Sequence, residues 1–165
     1  MSTTTLDTNA QPVDRFVSAF QVNHGQALNG TNASVAERRK AAIERFQELG
    51  IPTRKQEAWK YTDIASLLDR PYTLPLGPEA ADVSAEDLDP YLIDDLDAHV
   101  LVVVNGRPDL SLSKLDALPD DVTVGSLKDA GDHPAFKTHY GEYANVQEET
   151  LTALNTAFVQ DGAFI

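Results

Sequence analysis

The sequence contains no cysteine, so disulfides and thiolate ligation of a metal are excluded within this chain. Long apolar runs are lacking as well. The longest clean stretch, Val100 to Val104, is far too short to span a bilayer. Basic residues are scarce, with Lys+Arg 13 against Asp+Glu 26 and a net charge of -13, which disfavours nucleic acid and anionic membrane surfaces as partners. The opening Met1-Ser2-Thr3-Thr4-Thr5 has neither a basic start nor an apolar segment, so no secretory signal is read there and a cytoplasmic chain is the simplest reading. No glycine-rich phosphate loop, nucleophile–base pair or metal-ligand cluster occurs, so no catalytic residues and no cofactor are assigned and the chain is not read as an enzyme.

What is present suits one soluble domain. A chain of 165 residues with 42% hydrophobic and 24% charged residues is long enough and apolar enough to build a core. Aspartate outnumbers glutamate and lysine is rare, a bias similar to that of proteins kept soluble in high salt by surface carboxylates. Residues 1–11 are polar, Thr-rich and without periodicity, and read as a mobile tail. Val13, Phe16, Val17, Phe20, His24, Ala27 and Leu28 recur at helical spacing behind Pro12, and His24 on that face reads as a core or boundary histidine. Residues 29–32 are turn chemistry. Ser34-Val35-Ala36-Glu37 reads as a capping box opening a helix to about Leu49, with Ile43, Phe46 and Leu49 on its buried stripe.

The charge is polarised along the chain. Arg38, Arg39, Lys40, Arg45, Arg54, Lys55 and Lys60 place seven of the thirteen cations between 38 and 60, whereas residues 82–132 hold thirteen acids against Arg107, Lys114 and Lys128. The basic front reads either as a docking face for acidic protein or as an ordinary solvated face interspersed with Glu37, Glu44, Glu48 and Glu57. Residues 71–80 read as a linker without regular structure, and Ser84-Ala85-Glu86-Asp87 as a capped turn. His99 to Val104 is the clearest strand, continuous and β-branched, and so expected to be covered on both faces. Asn105-Gly106 signals a hairpin turn, and Val122-Thr123-Val124 a second strand. Helical turns follow at 126–130 and 134–140, with Gly131 between them, and Asn145 caps a last helix with Leu151, Leu154 and Phe158 inward. The sum is an α+β domain.

The densest pattern is Gly50-Ile51-Pro52-Thr53-Arg54 followed by Glu57-Ala58-Trp59-Lys60-Tyr61-Thr62. Glycine can take the left-handed conformation that ends a helix, and proline cannot continue it. The single tryptophan and the nearby Tyr61 are large apolar bodies with one polar atom each, which reads as a structural clamp. This stretch resembles the signature near the start of the SufD branch of the SufB/SufD family, scaffold components of the SUF system of iron–sulfur cluster assembly. A second likeness lies in Leu154-Asn155-Thr156-Ala157-Phe158 and Asp161-Gly162-Ala163, similar to the family's lead-in to its central domain.

The resemblance implies a mainly helical N-terminal domain with a small sheet over 12–158, and the start of a parallel β-helix core, otherwise missing here, over 159–165. It implies a non-catalytic scaffold acting with SufB and the SufC ATPase, in which the iron–sulfur cluster and ATP belong to the full complex and not to this chain. The family's cluster-related residues lie past the matched positions, so none is carried over. Arg54, Glu57, Trp59, Lys60, Tyr61, Thr62, Asn155, Ala157 and Gly162 are the matching positions, read as family-defining structure; Gln56 departs mildly from the pattern. Two other readings stay open: a stand-alone adaptor taking an acidic partner on residues 38–60, and a small metal enzyme using His133, His139 and Glu142.

Overall fold

Two helices, each burying one face, set the first half of the structure, a computed structural model that describes residues 3–5, 10–23, 33–70, 72–75 and 83–165. In chain order its elements are β1 (Thr3–Thr5), α1 (Pro12–Asn23), α2 (Ala33–Leu49), α3 (Ala65–Leu68), β2 (Thr73–Pro75), β3 (Val100–Val104), β4 (Arg107–Lys114), β5 (Gly125–Ser126), α4 (Pro134–His139), α5 (Thr150–Phe158) and β6 (Ala163–Phe164). Three short 3-10 turns join them, at Glu57–Trp59, Asp89–Tyr91 and Asp129–Asp132. Helices and small antiparallel sheets make this an α+β fold, as expected. The chain divides into two compact units, Met1–Gly77 with Thr138–Gln160, and Pro78–Lys137 with Asp161–Ile165. The expectations for His24, Ala27, Leu28, the turn at 29–32, Pro71 and 76–80 fall outside the described residues.

In the first unit, α1, α2 and α5 bury Phe16, Ala19, Phe20, Ala42, Ile43, Phe46, Ala153 and Ala157 in one cluster. Phe46 and the three alanines 42, 153 and 157 are 0% exposed; methyl-sized side chains on α2 and α5 let the two backbones approach and leave the rings to fill the space. Phe16 meets Phe46 edge-on at 5.9 Å between centroids, and Phe158 sits edge-on to Phe16 at 6.2 Å and to Phe20 at 6.0 Å. Such edge contacts add about 0.5–1.5 kcal/mol each beyond the area they bury. Leu49, placed on the stripe by periodicity, is half-buried, while Val35 and Arg39 complete it. The α2 stop is as read: Gly50 has φ +68° and its N–H donates to the Phe46 carbonyl at 3.0 Å. The tail and linker expectations are corrected in part, since Thr3–Thr5 pairs antiparallel with Thr73–Pro75.

In the second unit, β3 and β4 form a hairpin across Asn105-Gly106, whose φ values of +48° and +81° suit the tight turn that this dipeptide favours. The expectation that β3 is covered on both faces is corrected: the sheet has two strands, and Val103 is 45% exposed. The register slips between Val100 and Val102 because Asp109 gathers its own strand into a bulge. Its Oδ1 accepts from the Ser111 hydroxyl at 2.6 Å and from the Ser111 and Leu112 N–H groups at 3.0 and 3.2 Å. Ser113 Oγ then takes the Val102 N–H at 2.9 Å, filling the broken ladder. Val122–Val124 is not a strand. The pairing falls instead on β5, which lies antiparallel to β6 with Gly125 opposite Phe164. Gly131, read as a separator, lies within the Asp129–Asp132 turn. The Ser84 turn is as read, with Ser84 N–H and hydroxyl both donating to Asp87 Oδ2 at 2.8 and 2.7 Å.

Candidate functional site

The stretch after α2 is built by consecutive turns. Thr62, Trp59 and Gln56 N–H groups donate to the carbonyls of Trp59, Gln56 and Thr53 at 3.0 Å each, so three overlapping turns run from 53 to 62. Thr53 N–H donates to Gln56 Oε1 at 3.0 Å, and Arg54 Nε to the Lys60 carbonyl at 3.3 Å, which closes the loop across its base. Pro52 is buried and roots it. Beyond that root the loop faces water: Arg54, Glu57, Lys60, Tyr61 and Thr62 are exposed, and Trp59 is half-buried. Tyr61 is 88% exposed, with the Lys60 ammonium 5.5 Å from its ring centroid. Trp59 is not among the side chains of the described core cluster. Tyr61 therefore stands outside any packing clamp, and the bonds that cross the loop are main-chain and polar ones.

The second motif behaves differently. Ala157 is fully buried, and its carbonyl accepts from Arg39 Nε at 2.8 Å. Asn155, two residues before it, is exposed. Gly162 accepts the Leu127 N–H on its carbonyl at 2.8 Å, beside Asp161 Oδ1, which takes the Ser126 hydroxyl at 2.7 Å and the Lys128 and Gly162 N–H groups at 3.1 and 2.8 Å. That carboxylate fixes the corner from which β6 pairs with β5. Asn145 caps a turn of its own through the Gln147 N–H at 3.1 Å, and α5 starts later, at Thr150. On α5, Leu154 and Phe158 pack against the core as read.

Arginine divides the basic front from within. Arg38 donates to the Gly141 carbonyl at 3.3 Å and to Glu142 Oε1 at 2.6 Å, and Arg45 to the Gln147 carbonyl at 2.7 Å and to Glu48 at 2.7 Å. Arg39, only 3% exposed, caps the last turn of α5 and lies 5.7 Å from the Phe20 ring centroid; burial lowers its pKa, offset by the Coulombic influence of Tyr140. Arg15 does the same for α3, donating to the carbonyls of Leu68 and Asp69 at 3.0 and 3.4 Å. A planar fork that serves several carbonyls suits the unsatisfied end of a helix. Among the described residues, Lys40, Lys55 and the terminal guanidinium nitrogens of Arg54 have no such partner, and Lys60 reaches Glu57 only at 3.9 Å.

Arg38, Ala41, Ala42, Gly141, Glu142 and Tyr143 line part of a cleft of about 410 Å3 between α2 and the segment before α5. The residues of the metal reading are committed elsewhere. His133 accepts the Ala135 N–H at 3.2 Å and meets the Phe164 ring edge-on; His139 Nδ1 bonds the Tyr143 hydroxyl; Glu142 holds Arg38. Among the described residues no three His, Asp or Glu side chains group as metal ligands.

A family model, that of the SufBD protein N-terminal region, matches residues 10–165. The chain belongs to the SufBD family. Neither the curated proteins nor the solved structures supply a match. Membership in the SufBD family places the chain in SUF iron–sulfur cluster assembly, in a scaffold-type component. In this SufBD domain the two buried arginines are what the sequence reading missed. Arg39 lies four residues after Val35 and four before Ile43, so helical periodicity alone puts it on the apolar stripe. No described helix is long and apolar enough to cross a membrane.

Proposed function

We propose that this domain is the N-terminal region of a SufD-type scaffold, non-catalytic, cytoplasmic, and working with SufB and the SufC ATPase through contacts rather than chemistry. The observation that carries the reading is the family match over residues 10–165, together with the Gly50 to Thr62 pattern, which resembles the SufD branch. The cluster and ATP are then handled by the full complex, and residues 159–165 lead into the β-helix core. Ala157 and Gly162 act as structure, holding α5 and the β5–β6 corner; Arg54, Glu57, Trp59, Lys60, Tyr61 and Thr62 act as contact surface. Co-expression with SufB and SufC tests this: stable co-purification of the chain with either is expected, and its absence with both, from a folded chain, overturns the reading.

The adaptor reading keeps one part of its support. Of the basic front, Arg38, Arg39 and Arg45 are bound to the chain's own carbonyls and carboxylates, which leaves Lys40 alone on the helix. The larger group left for an acidic partner is the loop that carries Arg54, Lys55 and Lys60.

A further inference from the structure

We infer that the loop over residues 53–61 is a preformed docking site for a carboxylate-rich segment of another protein. The inference rests on the reading that this domain works by contacts within a SUF assembly. Charge gives the first argument. With 26 acidic residues on the chain, carboxylates pair with Arg15, Arg38, Arg45, Lys114 and Lys137. Among the described residues Lys40, Arg54, Lys55, Arg70 and Lys128 have no carboxylate partner; the loop gathers two of them, Arg54 and Lys55, side by side with Lys60, whose one ion pair is to Glu57 at 3.9 Å. Three cations against one acid on a chain of net charge -13 form a local field of opposite sign, which an acidic segment meets favourably.

Preorganisation gives the second. The three turns, the Gln56 side-chain bond and the Arg54–Lys60 closure hold the backbone without core burial, so little ordering is lost on binding. Composition gives the third. Arginine, tryptophan and tyrosine are the side chains enriched where truncation weakens interfaces most, and Arg54, Trp59 and Tyr61 stand together on this one loop with Tyr61 88% exposed. An occupant that alternates carboxylates with apolar side chains would satisfy both the cations and the rings. A short acidic segment ends within the reach of these three cations, whereas a phosphate backbone runs past them onto a surface of net charge -13, so nucleic acid does not fit. A second copy brings its whole net charge of -13 against that same surface.

Trp59 is the only tryptophan, so the loop reports its own occupancy by intrinsic fluorescence. The full chain is titrated with a short synthetic peptide of alternating Asp and Leu, with a Lys–Leu peptide and a single-stranded oligonucleotide in parallel, and sedimentation of the chain alone measures self-association. The expected result is a saturable change in Trp59 emission with the Asp–Leu peptide only, weakened by salt and at least about tenfold weaker in R54E/K55E/K60E, an effect of about 1.4 kcal/mol or more. K55E alone, at a side chain without a partner, gives a severalfold loss and guards against a misfolded triple variant. No change with the Asp–Leu peptide, an unchanged response in K55E, a stronger response to the oligonucleotide, or concentration-dependent dimers broken by K55E would each overturn the inference. If R54E/K55E/K60E co-purifies with SufB or SufC as fully as the unaltered chain, the docking loop is wrong and the scaffold reading stands. If neither partner is captured while the peptide still binds, the scaffold reading fails and the loop stands.

Discussion

Arg39 and Ala157, 118 residues apart in the chain, are joined by a 2.8 Å bond from a buried guanidinium to a buried carbonyl. That bond ties the middle of α2 to the last turn of α5, next to the Phe20 ring, at a point where no water can replace the donor. Arg39→Ala is expected to destabilise the first unit by about 2–4 kcal/mol, combining an unsatisfied carbonyl with lost packing of the alkyl stem. Arg39→Met, which keeps the stem and removes the charge, should lose less. Chemical denaturation of the two variants gives the comparison.

Phe46 is the largest fully buried side chain among the described residues, and the ring of Phe16 stands against it. Phe46→Ala should cost about 3–5 kcal/mol, enough to leave a domain of ordinary stability partly unfolded. Thermal melting followed by far-ultraviolet dichroism detects it as a large drop in midpoint.

Gly141 has φ +76°, and a Cβ there would come within 2.7 Å of Arg38 Nη1. Gly141→Ala therefore has to displace the end of Arg38 and hold a left-handed alanine, at a combined cost of about 1–2 kcal/mol. In Arg38→Ala the steric part disappears, so the same change at Gly141 should cost less in that background. A double-mutant cycle measures the difference.

The Asp109 bulge should respond to acid. The Ser111 hydroxyl, followed by the Leu112 and Ser111 N–H groups, stabilises the Asp109 carboxylate, and its pKa lies below the ordinary value. A depressed folded-state pKa stabilises the hairpin above the unfolded carboxylate pKa, and that contribution is lost as pH falls through the lowered one. Hydrogen exchange at Ser111 and Leu112 should accelerate over that acidic range and be nearly pH-insensitive, beyond the chemical rate, in Asp109→Asn. Tyr140 acts on the alkaline side: burial raises its pKa, partly opposed by Arg38 and Arg39, so its contribution is complete below the ordinary tyrosine value and is lost as pH rises through the raised one.

What the sequence made legible was local. Gly50 ending α2, the Asn105-Gly106 turn and the Ser84–Asp87 turn each depend on residues within four positions of one another, and each is found as read. The failures share a distance. Val122–Val124 has strand propensity, but the partner that decides where pairing falls is Ala163–Phe164, so the strand forms at Gly125–Ser126. A β-branched run such as Val100–Val104 signals burial on both faces, yet a two-stranded sheet has nothing to cover Val103. Arg39 was hidden by its charge, although its spacing from Val35 and Ile43 marks the buried stripe. Trp59, large enough to read as core, is half-buried. Hydrophobicity predicts a core position, but the loop after Gly50 has no helical or strand periodicity to bring other apolar side chains over the ring.

Whether Trp59 belongs to the contact surface or to the folding core is decided by the denaturation midpoint of Trp59→Ala, set beside that of Phe46→Ala. A half-buried ring on a loop held by its own turns predicts a loss of about 1 kcal/mol or less, with a native spectrum retained. A loss of about 3–5 kcal/mol, equal to that of a core aromatic, would make the Gly50 to Thr62 stretch part of the folding core and contradict its role as a contact surface.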